Sequence, residues 1–85
     1  MYIDYSPEFK RLFNKLPKNI QLVALRKEKI FRNNIHDPRL RTHKLGGKLK
    51  GKFAFSVSYS VRILFSIDQD NIARFHSIGT HDIYK

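Results

Sequence analysis

The sequence predicts an α+β domain with two N-terminal helices packed on one face of an antiparallel sheet. Apolar side chains recur with the 3.6-residue period of a helix over residues 7–33, and the period changes to two over residues 53–67. Turn residues separate these segments, without an internal repeat or a linker. The predicted order is β-α-α-β-β-β(-β), and residues 1–85 are expected to form a single domain with one small core.

The N-terminal residues predict a short strand followed by a first helix. Ser6 suits the N-cap and Pro7 the first helical position, where a missing N–H is harmless. One apolar stripe then follows at helical spacing: Phe9, Leu12, Phe13 and Leu16. The strand before the helix takes its apolar residues from Tyr2, Ile3 and Tyr5.

A second helix is predicted from Pro17, which ends or restarts the first helix, to about Asn33. Its core face comprises Ile20, Val23, Ala24, Ile30 and Phe31. A loop follows, because Asn and Asp side chains compete for backbone hydrogen bonds and the residue before Pro38 avoids the helical region. The two helices are therefore expected to form a hairpin.

Alternation of apolar and polar residues predicts a sheet with one buried face from Phe53 onward. Every odd position is apolar or aromatic: Phe53, Phe55, Val57, Tyr59, Val61, Ile63, Phe65 and Ile67. A turn near residues 58–60 is expected to divide this run, and residues 68–71 are expected to turn into a last strand at 72–78. Residues 43–45, before two glycines, supply one more short strand.

The positive charge is concentrated in one segment. The formal net charge is +10, and residues 10–52 hold fourteen Lys and Arg against two acidic residues, whereas residues 53–85 hold three of each. Such an excess favours a partner rich in phosphates, because each neutralised phosphate releases counterions. An anionic membrane is disfavoured, since the basic segment lacks the apolar face of an interfacial helix.

Length and composition exclude several classes of protein. Eighty-five residues leave no room for a two-domain enzyme, and the lack of cysteine removes disulfides and thiolate zinc sites. The histidines do not show ligand spacing beside a carboxylate, so neither a metal nor a cofactor is expected. No segment has the apolar run of an export signal or a bilayer-spanning helix, and a soluble, cytoplasmic protein is expected.

Three segments together resemble the RelE/ParE toxin superfamily, especially its YafQ-like branch. They are H-K-L-x-G-x-L-K-G at 43–51, V-R-I-L-F at 61–65, and I-G-T-H-D followed by a tyrosine at 78–84. The resemblance implies two N-terminal helices on a twisted antiparallel sheet. For the RelE and YafQ-like branches it also implies the toxin of a type II toxin–antitoxin system, an mRNA interferase that cleaves mRNA on the ribosome.

The same resemblance implies four catalytic residues. His43 and His81 stand where YafQ-like toxins have catalytic histidines and would form the acid/base pair, with the two roles unassigned. Arg62 stands where RelE-like toxins have a functional arginine and would bind the scissile phosphate; its alternative is an arginine on an exposed sheet face. Tyr84 matches a C-terminal aromatic that stacks on a base or assists catalysis, or else it anchors the chain end.

Other polar residues have weaker assignments. His76 shares a strand face with Arg74 and either joins the site or is a hydrogen-bonded histidine of the sheet. Ser56 and Ser60 stand where YafQ-like toxins are expected to have a further His and Asp, so the acid/base set is incomplete. The residues expected to bind the RNA backbone are Arg41, Lys44, Lys48, Lys50 and Lys52.

Three functions stay open on the sequence. The first is the ribosome-dependent endoribonuclease, whose partners would be the ribosome, mRNA and a cognate acidic antitoxin, with a toxin–antitoxin heterotetramer as one assembly. The second is a ParE-like inhibitor of DNA gyrase without nuclease activity, which the paired histidines disfavour. The third is a basic RNA-binding module without catalysis, in which the histidines would have no role.

Overall fold

The computed structural model describes residues 1–84 and confirms the predicted α+β class and element order. The strands are β1 (Tyr2–Tyr5), β2 (His43–Lys44), β3 (Phe53–Ser56), β4 (Arg62–Ile67) and β5 (Ile72–Gly79). The helices are α1 (Pro7–Lys15) and α2 (Lys18–Asn33). Single 3₁₀ turns occur at Pro38–Leu40, Gly47–Leu49 and His81–Tyr84. Within the described residues, no helix is both long and apolar enough to cross a bilayer.

Two polar side chains fix the ends of α1. Ser6 is the N-cap, and its Oγ accepts the amide of Phe9 at 3.0 Å while its hydroxyl donates to the carbonyl of His76 at 2.8 Å. This pair of bonds caps the helix and attaches its start to β5. At the other end, the Gln21 side-chain amide donates to the carbonyls of Phe13 and Leu16, at 3.0 and 3.1 Å, among the last carbonyls of α1.

The strands form one sheet in the order β1-β5-β4-β3-β2. Neighbours from β2 to β5 pair antiparallel, as predicted, but β1 pairs parallel to β5, with Ile3 opposite Ala73. The expectation of a wholly antiparallel sheet is therefore wrong at this edge. The physical reason is that no hairpin joins β1 to β5: both helices and three strands lie between them in the chain, so the connection permits either direction.

A β-bulge at His76 corrects the register of β5. Leu64 lies opposite Ser77 and Phe65 opposite Phe75, so His76 is an extra residue in β5. The bulge allows Phe75 and Ile78, three positions apart, to face the helices together. The apolar residues of β5 change from odd to even positions at this point, and this change is the sequence signal of the bulge.

The core centres on the ring of Phe31, which is fully buried on the sheet side of α2. Its centroid lies 5.0 Å from that of Phe55, 4.9 Å from that of Phe65 and 5.3 Å from that of Phe75. These partners belong to β3, β4 and β5, so one helical residue contacts three adjacent strands. Such aromatic pairs stabilise a fold beyond the apolar area that they bury.

Tyr59 is the exception to the predicted alternation. It was expected on the buried face, but it is 98% exposed, so that expectation is wrong. The reason is that residues 57–61 form the turn between β3 and β4: the amide of Val57 donates to the carbonyl of Val61 at 2.8 Å, which closes the turn. The turn predicted near residues 58–60 is thus confirmed, and it carries Tyr59 away from the core.

Replacing Phe31 should test the role of this ring. We expect Phe31→Ala to lower the free energy of unfolding by about 3–5 kcal/mol, because it empties the centre of the core. Urea unfolding followed by far-UV circular dichroism measures the change. The matched control is Leu22→Ala on the outside of α2, where the side chain is 51% exposed and the expected change is within about 0.5 kcal/mol. Equal effects of the two substitutions would contradict the assignment.

Candidate active site

The face of the sheet away from the helices carries two of the candidate catalytic residues, His43 and Arg62. Cross-strand partners share a face, so the register defines this outer face by its residues: His43, Ala54, Ser56, Arg62, Leu64, Ser66, Arg74, His76 and Ser77. His43 begins a row that continues through Ala54 and Leu64 to Ser77. Arg62 lies in the next row, between Ser56 and Gly79. Two of the four predicted catalytic residues therefore share this face.

The 81–84 turn (His81–Tyr84) supplies the other two candidates. The His81 and Tyr84 rings meet edge to face, with centroids 5.6 Å apart. The turn packs close to β5 at Gly79: a Cβ at Gly79 would lie 2.9 Å from Cγ2 of Ile83, so a side chain there would have to displace Ile83. Partial burial raises the pKa of the Tyr84 hydroxyl, and the positive charge of Arg62 acts on it in the opposite direction. Arg62 lies opposite Gly79 in β5, and the 81–84 turn packs at Gly79, so Arg62 lies next to the turn that carries His81 and Tyr84.

Arg62 also organises the turn between β3 and β4. Its Nη1 donates to the carbonyls of Ser58 and Tyr59, each at 2.9 Å. Among the described residues these contacts use Nη1, which leaves the donors of Nε and Nη2 for an anion. The alternative to phosphate binding is therefore a structural role, in which Arg62 ties the β3–β4 turn to the start of β4.

His43 lies two strands away from β4, at the β2 edge of the sheet. Adjacent strands are about 4.8 Å apart, so its backbone is about 10 Å from that of β4. The side chain is exposed, and Nδ1 lies 3.1 Å from the carbonyl oxygen of Arg41. Because a carbonyl can only accept, Nδ1 is the donor, and the neutral ring has its lone pair on Nε2. His43 therefore offers a proton acceptor at Nε2.

A basic groove adjoins Arg62 on the side of the β3–β4 turn. Its volume is about 590 Å³, and the cationic residues that line it are Lys27, Arg39, Arg41 and Arg62. No lining residue is acidic. Arg39 is paired with Asp37 just outside, with 2.9 Å between Nη2 and Oδ2, and this pairing lowers the pKa of Asp37 to about 2. Arg41, predicted to bind RNA, takes part in no salt bridge among residues 1–84.

Sequence reasoning missed the other residues of this basic groove. Lys27 was counted only in the overall charge, and Arg39 was counted in the same way. Tyr59, which also lines the groove, was assigned to the core. The DPR turn at residues 37–39 was a usable signal for Arg39, since the carboxylate of Asp37 caps this turn and binds the guanidinium. Nothing local in the sequence links α2 to the β3–β4 turn.

The predicted RNA-binding lysines lie elsewhere: Lys44 is the last residue of β2, and the others lie on the loop between β2 and β3. Lys44, Lys50 and Lys52 line a separate depression of about 520 Å³, and Lys48 is exposed on the intervening 3₁₀ turn. Two glycines shape this loop, because Gly47 and Gly51 have φ angles of 59° and 90°, in the region that favours glycine. The structure thus divides the predicted RNA-binding residues between two sites, with Arg41 in the basic groove and the lysines on β2 and the loop that follows it.

His76 is hydrogen-bonded within the outer face. Its Nε2 lies 2.7 Å from Oγ of Ser66, and the ring is partly buried. Burial lowers the pKa of His76, and the positive charges of Lys52 and Arg74 lower it further. This environment matches the interpretation of a hydrogen-bonded sheet histidine. Among the described residues no group of three or more His, Asp or Glu side chains is arranged to hold a metal ion.

Solved structures of microbial toxins share this fold. YafQ from E. coli has a TM-score of 0.80 at 20% identity, over 96% of this chain and 94% of YafQ. A YoeB/ParE toxin from Agrobacterium tumefaciens also has a TM-score of 0.80, at 7% identity, over 95% and 99%. A toxin–antitoxin complex from Mycobacterium tuberculosis matches with a TM-score of 0.72 at 18% identity, over 94% and 96%. No protein-family model and no curated protein sequence matches the chain.

These comparisons confirm the fold that the sequence resemblance implied. The shared architecture is two helices against an open five-stranded mixed sheet, which defines the class of RelE/YafQ-like toxin folds. At 7–20% identity the likeness establishes the fold alone. The chemistry of the outer face has to be argued from its own residues.

The lowered pKa of His76 predicts an acid-sensitive fold. Its folded pKa lies below the value of 6.5 that is usual for the side chain, so the unfolded chain binds a proton more readily. We expect the free energy of unfolding to fall as the pH drops below 6.5. Below the folded pKa of His76 both states carry the proton, so His76 causes no further fall. Urea unfolding at a series of pH values measures this slope. His76→Gln should flatten it, while His36→Gln in the exposed loop should not; identical slopes would contradict the assignment.

The hydrogen bonds of Arg62 predict that replacing its guanidinium lowers stability even when the positive charge is kept. Arg62→Lys keeps the charge but loses the forked guanidinium, so we expect the free energy of unfolding to fall by about 1–2 kcal/mol. Amide hydrogen exchange at Val57 and Val61 should also become faster. Arg41→Lys is the control and should change stability by less than about 0.5 kcal/mol. An Arg62→Lys variant with unchanged stability and exchange would show that the turn does not depend on Arg62.

Proposed function

We propose that this chain is the toxin of a type II toxin–antitoxin system and that it cleaves translated mRNA on the ribosome without a metal ion. The observation that carries the proposal is that Arg62 lies opposite Gly79, next to the 81–84 turn with His81 and Tyr84, and beside a basic groove. The fold, which it shares with solved toxins, supports the same role. Phosphodiester chemistry can use such a set of neighbouring groups: a guanidinium, an imidazole and a phenol.

The proposed reaction is transesterification within the RNA strand. The 2′-hydroxyl attacks the adjacent phosphorus, a base takes the hydroxyl proton, and an acid gives a proton to the departing 5′ oxygen, which leaves a 2′,3′-cyclic phosphate. Arg62 would stabilise the extra charge on the phosphoryl oxygens through Nε and Nη2. His43 would act as the base through Nε2, and His81 would act as the acid beside Tyr84. Ordinary proton transfer and charge stabilisation thus account for each step.

The ribosome would supply what the isolated site lacks. The outer face has a serine, Ser56, where a further acid/base group was expected. The two histidines proposed as base and acid, His43 and His81, lie on different elements. A strand held in the decoding site would be presented in a fixed conformation, which removes much of the entropic cost of reaching the in-line geometry. The basic groove and the lysines of the β2–β3 loop would bind RNA backbone on either side.

An acidic antitoxin is the protein partner that we propose. The chain carries a net charge of +10, and one structure with the same fold is a toxin–antitoxin complex. An acidic segment that orders on binding could neutralise the exposed cations. A heterotetramer of two toxins and two antitoxins is the assembly to look for by light scattering.

Substitution of His81 tests the nuclease proposal. We expect wild-type protein to cut mRNA when translating ribosomes are present and to leave free mRNA intact. His81→Gln should reduce the cleavage rate by about 10²–10⁴-fold, the usual contribution of an acid/base group, while circular dichroism and urea unfolding stay unchanged. His36→Gln is the matched control, because this histidine lies in the exposed loop after α2.

Two results would overturn the proposal. One is intact mRNA on ribosomes treated with wild-type protein; the other is a His81→Gln variant that cuts at the wild-type rate. A DNA supercoiling assay with purified gyrase separates the remaining alternative, since a ParE-like toxin would block supercoiling without cutting RNA. We expect no effect in that assay.

A further inference from the structure

Tyr59 is the most exposed of the large apolar side chains in the described part of the chain. It is 98% exposed at the tip of the β3–β4 turn. Exposing a whole aromatic ring to water forgoes the stabilisation that its burial would give. Tyr59 is also one of the residues that line the basic groove, so its exposed side chain is next to a set of cations.

The turn that carries Tyr59 is held by several hydrogen bonds. The carbonyl of Tyr59 accepts from Arg62 Nη1 at 2.9 Å, and so does the carbonyl of Ser58. The amides of Val57 and Ser58 both donate to the carbonyl of Val61, at 2.8 and 3.2 Å. The backbone of the turn is thus fixed before a ligand binds. Binding of a ligand to the ring therefore costs little conformational entropy in the turn.

The cations next to Tyr59 favour a polyanion over a neutral ligand. The groove holds Lys27, Arg39, Arg41 and Arg62 with no acidic lining residue, and the guanidinium of Arg41 is without a salt bridge among residues 1–84. Arg62 also acts on Tyr84 of the candidate active site. Arg62 lies opposite Gly79, two residues before the 81–84 turn, and also lines the groove with Tyr59, so it links the candidate active site to the groove.

We propose that Tyr59 is a stacking platform for one base of a single-stranded RNA whose backbone lies in the basic groove. Proteins bind single strands by combining a cationic path for phosphates with aromatic rings for bases, and both parts are present here. An acidic peptide would use the cations but would gain little from a fully exposed ring. This subsite deepens the proposed function and rests on it for the identity of the strand as mRNA.

Binding of a strand that cannot be cleaved tests the subsite directly. The probe is a short, fluorescently labelled oligonucleotide with 2′-O-methyl groups, and its affinity is measured by fluorescence anisotropy. We expect Tyr59→Ala to weaken binding about 5- to 150-fold and Tyr59→Phe to bind like the wild type, because a phenyl ring also stacks. Tyr2→Ala is the control: Tyr2 is 70% exposed on β1, at the opposite edge of the sheet, and its loss should change nothing.

Salt dependence separates the stacking residue from the phosphate contacts. For Arg41→Gln we expect the slope of log Kd against log salt to decrease by about 0.7, because one phosphate contact is lost. Tyr59→Ala should weaken binding with the slope unchanged. A decrease of the slope in Tyr59→Ala would show that the substitution disturbed the groove itself, and it would overturn the assignment.

Three further outcomes are decisive. Wild-type affinity in Tyr59→Ala would overturn the subsite. An equal loss of affinity for a polyglutamate peptide would overturn it too, since the ring would then serve an acidic protein partner. Tyr59-dependent RNA binding by a protein that leaves mRNA uncut on ribosomes would support the subsite while contradicting the nuclease proposal, so the two failures are distinguishable.

Discussion

The contact of Phe31 with three strands is the interaction on which the rest of the structure depends. One ring on α2 packs against Phe55, Phe65 and Phe75, which belong to β3, β4 and β5. The contact places the helices on one face of the sheet, while the other face holds polar side chains, the 81–84 turn and the buried Ala54 and Leu64. A small domain has too little apolar surface to cover both faces of a five-stranded sheet. The outer face is available for chemistry for that reason.

The charges of the chain follow the same division. The outer face carries His43 and Arg62, whereas fourteen of the seventeen Lys and Arg lie between residues 10 and 52, on the helices and on the chain between α2 and β3. Arg62 joins the two regions, because its side chain fixes the β3–β4 turn and its backbone lies opposite Gly79, beside the 81–84 turn. In the account proposed here, the surrounding cations hold the strand and the outer face acts on it.

The sequence predicted those features that depend on local periodicity. The stripe of α1, the core face of α2 and the odd positions of β3 and β4 lie where they were expected, because burial of one face imposes a regular spacing. The prediction of a single buried face is wrong at Ala54 and Leu64, which are buried on the outer face. The sequence did not predict the parallel pairing of β1 or the exposure of Tyr59. Both depend on how distant segments meet. The apolar alternation of the sequence continues through the β3–β4 turn although the strand does not, and the direction in which β1 pairs has no local sequence signal.

The sequence likewise predicted only part of the candidate site. The motif resemblance predicted Arg62, His81 and Tyr84 as site residues, and in the fold Arg62 lies next to the turn that carries the other two. The basic groove was not foreseen, since Lys27, Arg39 and Tyr59 come from α2, the Pro38–Leu40 turn and the β3–β4 turn. Composition had suggested only that phosphates would be bound somewhere along residues 10–52. The catalytic roles themselves stay predictions.

The central claim is that RNA is bound on the outer face and in the adjoining basic groove, and not on the exposed side of the helices around Leu22 and Leu25. The most direct measurement is a two-dimensional amide NMR titration of the wild-type protein with a 2′-O-methylated single-stranded RNA. The account predicts that signals of His43, Arg62 and His81 shift together while those of Leu22 and Leu25 on α2 stay fixed. Shifts confined to the helical face, with the outer face unchanged, would contradict it.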